Sequence, residues 1–123
     1  MAPNILLASQ HQKKEALQSI VTKKASGLTV VDSMVKAEKA IVETQFQIAV
    51  IDENFDGLET GWLLAKKIKK YFDPDVKVIM LVEKSHRNYF DSGRNEFREN
   101  VDWVMVFPIS EEQLLHELDR RSK

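Results

Sequence analysis

FQIAVIDENFDG, residues 46–57, runs an apolar strand pattern straight into Asp52 and then into an acidic loop marked by a glycine. A strand with no clean polar alternation is one covered on both faces. This one ends on a carboxylate, and what that carboxylate does depends on what the rest of the chain places around it.

Working outward, similar short apolar runs occur at Asn4–Ser9, Gly27–Asp32, Val76–Val82 and Trp103–Phe107. Each is rich in Val, Ile or Leu and short enough to be a buried strand. The stretches between them carry helical spacing. Ala16, Leu17, Ile20 and Val21 form one stripe, with Gly27 as the stop. Met34, Ala37 and Ile41 form a second, and Leu64, Ala65, Ile68 and Phe72 a third that ends at Asp73-Pro74-Asp75. Tyr89, Phe90, Gly93 and Phe97 mark a less regular fourth. Ser110-Glu111-Glu112-Gln113 is a capping box, and Ile109 stands where it can staple onto Leu114, so Leu114, Leu115 and Leu118 define the inner face of a last helix.

Five strand and helix units predict a parallel five-stranded sheet of order 2-1-3-4-5 with helices on both faces, a doubly wound, flavodoxin-like (βα)5 arrangement. The length of 123 residues fits a single domain spanning 1–123. The balance of 43% hydrophobic and 30% charged residues is that of an ordinary globular chain. Neither a membrane span nor a signal peptide is legible, and the absence of cysteine rules out disulfides and thiolate chemistry, which agrees with a cytoplasmic home. A net charge of −1 gives no bulk attraction to nucleic acid or to an anionic membrane, and neither is expected as a partner. In open sheets of this kind ligands sit beyond the carboxyl ends of the strands. The residues to inspect are therefore Ser9 and Gln10, Asp52 and Glu53, Val82 and Glu83, and Phe107 and Pro108.

At those positions the chain resembles the receiver domain of two-component response regulators, over essentially its whole length. The order of elements carries the resemblance, together with strand-terminal Asp52, the helix start TGWLLAKKIKK (60–70), the strand VIMLVEKS (78–85) and the ending VMVFPISEEQL (104–114). In that family Asp52 matches the aspartate that takes a phosphoryl group. The resemblance also implies two acidic residues after the first strand, a hydroxyl at the end of the fourth and a lysine before the proline after the fifth. Here Ser9 and Gln10, then Val82 followed by Glu83, then Phe107 occupy those places. The family's aromatic switch position falls on Val104, beside Trp103.

Phosphoryl transfer to a carboxylate crowds anionic oxygens together, and receivers offset this with a metal cation, an ammonium and a hydroxyl donor. With these replaced, the site reads as degenerate: a pseudo-receiver, with no enzymatic activity, no metal and no cofactor. Asp52 is then expected to be a carboxylate at a solvated strand end capping nearby backbone amides. Ser9 reads as a helix start through its S-x-x-Q spacing to Gln12. The Phe107 ring is expected to fill part of the space a phosphate would occupy.

The resulting expectation is a signalling module of a two-component or phosphorelay system that works by protein–protein contact. Its partners would be other signalling proteins, an output domain or a second copy of itself as a homodimer. In the family the contact face is formed by the elements corresponding here to His86–Arg98, Trp103–Phe107 and Ser110–Arg121, with Tyr89, Phe90 and Trp103 as candidate anchors. The alternative is a working receiver that accepts phosphate on Asp52 from a histidine kinase, with magnesium as its ion. A third reading, a small-molecule binder of flavodoxin-like architecture, has no phosphate-cradling loop to support it.

Three further features read as solvent-facing. The acidic group Asp52, Glu53, Asp56 and Glu59 lacks a fixed ligand geometry. The lysines of Lys66-Lys67-Ile68-Lys69-Lys70 look like a solvated helix face. His11, His86 and His116 are too far apart for a ligand pair.

Overall fold

The computed structural model describes residues 2–9, 11–83 and 100–121. Its five strands are β1 (Asn4–Ala8), β2 (Gly27–Val31), β3 (Ile48–Asp52), β4 (Lys77–Val82) and β5 (Trp103–Val106). All pair in parallel, in the order β2-β1-β3-β4-β5. The described helices are α1 (His11–Thr22), α2 (Met34–Glu43), α3 (Thr60–Lys67) with a π-helical turn Ile68–Phe72 appended, and α4 (Glu111–Arg121). The expected amphipathic stretch from Tyr89 to Phe97 lies outside the described residues.

Strand alternation divides the interior in two. Ile5, Leu7, Ile48, Val50, Ile79 and Leu81 point to one face and meet Leu17 and Val21 of α1 and Leu114 and Leu118 of α4. Leu6, Ala8, Ala49, Ile51, Met80 and Val82 point to the other and meet Ala37 of α2 and Trp62, Leu64 and Ala65 of α3. The runs lack alternation in sequence because both faces are covered.

Local signals place the helix ends. Ser33 caps α2 by accepting the Lys36 N–H at 3.3 Å. At α4 the capping box closes, with Ser110 Oγ accepting the Gln113 N–H at 3.1 Å and Gln113 Oε1 accepting the Ser110 N–H at 3.5 Å.

Two stripes depart from their sequence reading. Ala16 is exposed, so α1 is held by Leu17 and Val21, with Ile20 partly buried. Phe72 is 45% exposed although Leu64, Ala65 and Ile68 are buried. The cause is the π turn, in which the Asp73 N–H donates to Ile68 O at 2.8 Å over five residues instead of four. The wider turn rotates Phe72 off the stripe that α-helical spacing would give it.

The lysine run is also less solvated than its sequence suggests. Lys67 pairs with Glu38 of α2 at 2.6 Å, and Lys69, largely buried, pairs with Asp102 at 2.8 Å and donates to Pro74 O at 3.2 Å.

Candidate functional site

β3 delivers Asp52 to the carboxyl edge of the sheet, and the first turn of α3 folds back onto that same point. Gly61 permits the approach. A Cβ there would lie 2.5 Å from Asp52 O, 2.7 Å from Glu53 Cα and 2.9 Å from Glu53 O. These are backbone atoms that cannot step aside, and the Gly61 N–H uses the closeness to donate to Glu53 O at 2.7 Å.

Asp52 is 1% exposed. Its Oδ1 accepts the Asn54 N–H at 3.3 Å, so it does cap a nearby amide, but the expectation of a solvated strand end is wrong. The first turn of α3 packs against the backbone of this strand end, and the carboxylate itself is buried.

Glu53 carries the feature that sequence reasoning missed. Alternation along β3 sends Asp52 toward the α1 and α4 face and Glu53 toward the α2 and α3 face, so the adjacent carboxylates diverge. Glu53 is 4% exposed. Its Oε2 accepts the backbone N–H of Glu83 at 2.7 Å, just beyond β4, and its Oε1 makes a long contact of 3.5 Å with the indole N–H of buried Trp62 on α3. One side chain thus joins the ends of β3 and β4 to α3. The only sequence signal was the glutamate itself, since the apposition of Trp62 and Glu83 is tertiary.

The remaining loop carboxylates separate. Asp56 Oδ2 accepts the Met34 N–H at 2.7 Å and serves the N-terminus of α2. Glu59 adopts a left-handed φ of 63°, and its N–H donates to Asn54 Oδ1 at 2.8 Å. This spreads the group Asp52, Glu53, Asp56 and Glu59 over four separate tasks.

Of the positions around Asp52, Ser9 is buried, and its N–H continues the ladder to Val31 O at 3.1 Å. It lies two residues before α1. The Gln12 side chain that its S-x-x-Q reading needs is outside the description, as is Gln10. Val82 is buried in the α2 and α3 core, and Glu83 is half-buried. Phe107 is half-buried against the α1 and α4 core, on the face to which alternation also assigns Asp52. Tyr89 and Phe90 lie outside the described residues. Trp103 is 41% exposed, with the Arg120 and Arg121 guanidiniums 5.8 and 5.3 Å from its ring centre.

A magnesium ion, which the receiver resemblance implies beside the aspartate, requires several oxygen ligands in near-octahedral array. Ser9 supplies no charge, and the Glu53 oxygens are engaged by Glu83 and Trp62. Among the described residues no group of three or more carboxylates or histidines is placed to hold a metal ion. The described donor set does not fit that ion.

No protein-family model and no curated protein matches the sequence. Solved structures do match. NtrX from Brucella abortus superposes with a TM-score of 0.81 at 19% identity, over 98% of this chain and 26% of that one. The receiver domain of the sensor histidine kinase PA1611 from Pseudomonas aeruginosa, with a magnesium ion coordinated in its active-site cleft, gives 0.81 at 14% identity over the whole of both chains. A CheY-like response regulator receiver domain from Methylobacillus flagellatus gives 0.79 at 16% identity, over 98% of this chain and 99% of that one. The chain therefore spans about a quarter of NtrX and essentially all of the two isolated receivers. At such identities the likeness is one of fold, and the fold of this chain is that of the response regulator receiver domain.

Proposed function

We propose that this chain is a receiver-fold signalling module of a two-component or phosphorelay system, cytoplasmic and without enzymatic activity, that acts by protein–protein contact and not by phosphorylation of Asp52. The observation that carries the reading is the seating of Glu53. Its buried carboxylate takes the amide at the end of β4, so the same strand end buries a second acidic side chain, on the opposite face of the sheet from Asp52. An incoming phosphoryl group would add negative charge to a strand end that already buries two carboxylates. Contact with a partner falls to the β5 and α4 face. There Trp103, stacked under Arg120 and Arg121, combines the two side-chain types that most often dominate interface energies. The partner is another signalling protein, an output domain or a second copy of the chain.

The test is incubation with acetyl phosphate and magnesium followed by intact mass measurement. The wild-type mass is expected to stay unchanged. A gain of one phosphoryl group that disappears in Asp52→Asn would establish instead the second reading, a receiver phosphorylated by a histidine kinase. That reading is favoured by one observation, the position of Asp52 at the carboxyl end of the middle strand.

A further inference from the structure

The amino-terminal edge of the sheet, opposite Asp52, holds a cavity of about 270 Å³. Along β3 the two ends are separated by roughly 15 Å at the usual rise per strand residue. The cavity's apolar lining comprises Leu6, Phe46, Ala49, Ile68 and Val76, which are buried, and Ile41, Val42 and Phe72, which present accessible apolar surface. One wall is the π turn, whose extra residue carries Phe72 off the core stripe and into the cavity lining. Inserted π turns of this kind recur at functional positions.

The mouth has a definite electrostatic sign. It is formed by the C-terminus of α2, where the last carbonyls project and the helix dipole is negative. No basic residue stands in the last turn of α2 to offset that pole. Glu43 and Asp73 add two carboxylates to the rim, and no lysine, arginine or histidine lines the cavity. Lys69, on the same turn, is held by Asp102 and by Pro74 O.

An apolar lining beneath an uncompensated negative mouth is complementary to a small amphiphilic cation. A dry cavity of about 150 Å³ suffices for benzene, so the volume here holds one aromatic ring with a short chain. We propose that this cavity is a binding site for an aryl-alkylammonium ligand, the ring lying on Ile41 and Phe72 and the ammonium at the α2 C-terminus between Glu43 and Asp73. The site is separate from Asp52, and it stands whether or not Asp52 is phosphorylated.

The test is a heteronuclear NMR titration of the whole chain with three probes of one shape: 2-phenylethylammonium, 2-phenylethanol and phenylacetate. The cation is expected to shift the resonances of Ala49, Ile68 and Phe72 and to bind roughly five- to thirty-fold tighter than the alcohol, from one helix pole and two partly exposed carboxylates acting together. Phenylacetate should not bind. Glu43→Gln, at an exposed position, should narrow the gap between cation and alcohol and leave the alcohol's affinity unchanged. Added salt should narrow it likewise. Equal affinity for all three probes, shifts located away from the cavity, or no shift with the cation at about 10 mM, the upper range for a weak pocket ligand, would each overturn the assignment.

Discussion

Replacing Glu53 by alanine removes the acceptor shared by β4 and α3. The 2.7 Å bond from the Glu83 N–H to Glu53 Oε2 is charge-assisted, a class that contributes about 1.5–3 kcal/mol. The 3.5 Å contact with Trp62 adds little by itself. Against this loss stands the desolvation cost of a carboxylate that is 4% exposed, which alanine would relieve. Truncation wins the comparison for the destabilising side, because it leaves the amide and the indole N–H facing the space the acceptor vacated. The expected net cost is about 2–3 kcal/mol, a melting-temperature drop of roughly 6–15 °C in a domain of this size. Glu53→Gln keeps an acceptor oxygen without the charge and should lose only about 1 kcal/mol. The order wild type, Gln, Ala should appear both in thermal melts followed by circular dichroism and in hydrogen exchange at the Glu83 amide. An alanine variant that melts within about 1 °C of wild type, a shift of only a few tenths of a kcal/mol, would show that the carboxylate's burial cancels its bonds and that Glu53 does not fasten the site.

Gly61→Ala forces a methyl against three backbone atoms of Asp52 and Glu53 and should cost about 1–3 kcal/mol in urea unfolding. Asp102 should contribute a pH-dependent stability. Burial alone would raise its pKa, but the hydrogen bonds from Lys69 and the Val78 N–H and the charges of Lys69 and Lys77 together hold it below the ordinary 3.8. Its stabilising effect is therefore complete above that value and is lost as pH falls through the lower folded-state value. Asp102→Asn should flatten the melting-temperature profile on the acid side and nowhere else. Phe107→Lys should lower the melting temperature, because a half-buried ring on the α1 and α4 core is replaced by an ammonium. It should also leave the protein's mass unchanged after treatment with acetyl phosphate and magnesium, since Ser9 still supplies no acidic ligand.

The sheet was readable in advance because its five apolar runs are short, uninterrupted and regularly spaced, and burial on both faces leaves no ambiguity about what such runs are. The Ser110 to Gln113 cap was readable because its partners lie three residues apart in the chain. What escaped was tertiary. Nothing local says that Asp52 would be buried, that Glu53 would reach Glu83 thirty residues on, or that Lys69 would turn inward to Asp102. The π turn escaped for a different reason. The spacing Leu64, Ala65, Ile68 and Phe72 fits an α-helix throughout, and one extra residue in a turn leaves no mark on the pattern of apolar positions.

The divergence of Asp52 and Glu53 makes β3 a mechanical partition. Each side of the molecule has its own packed interior, and between them stands one layer of strands whose side chains belong wholly to one compartment or the other. A rearrangement that begins at Trp62 and pulls on Glu53 reaches the compartment of Leu17, Leu114 and Phe107 by twisting or sliding the backbone of a strand. The peptide linking Asp52 to Glu53 is the shortest such route at the carboxyl edge. The next peptide, between Glu53 and Asn54, is held by Gly61, whose N–H donates to Glu53 O at 2.7 Å, so that movement of α3 and movement of Glu53 are one motion.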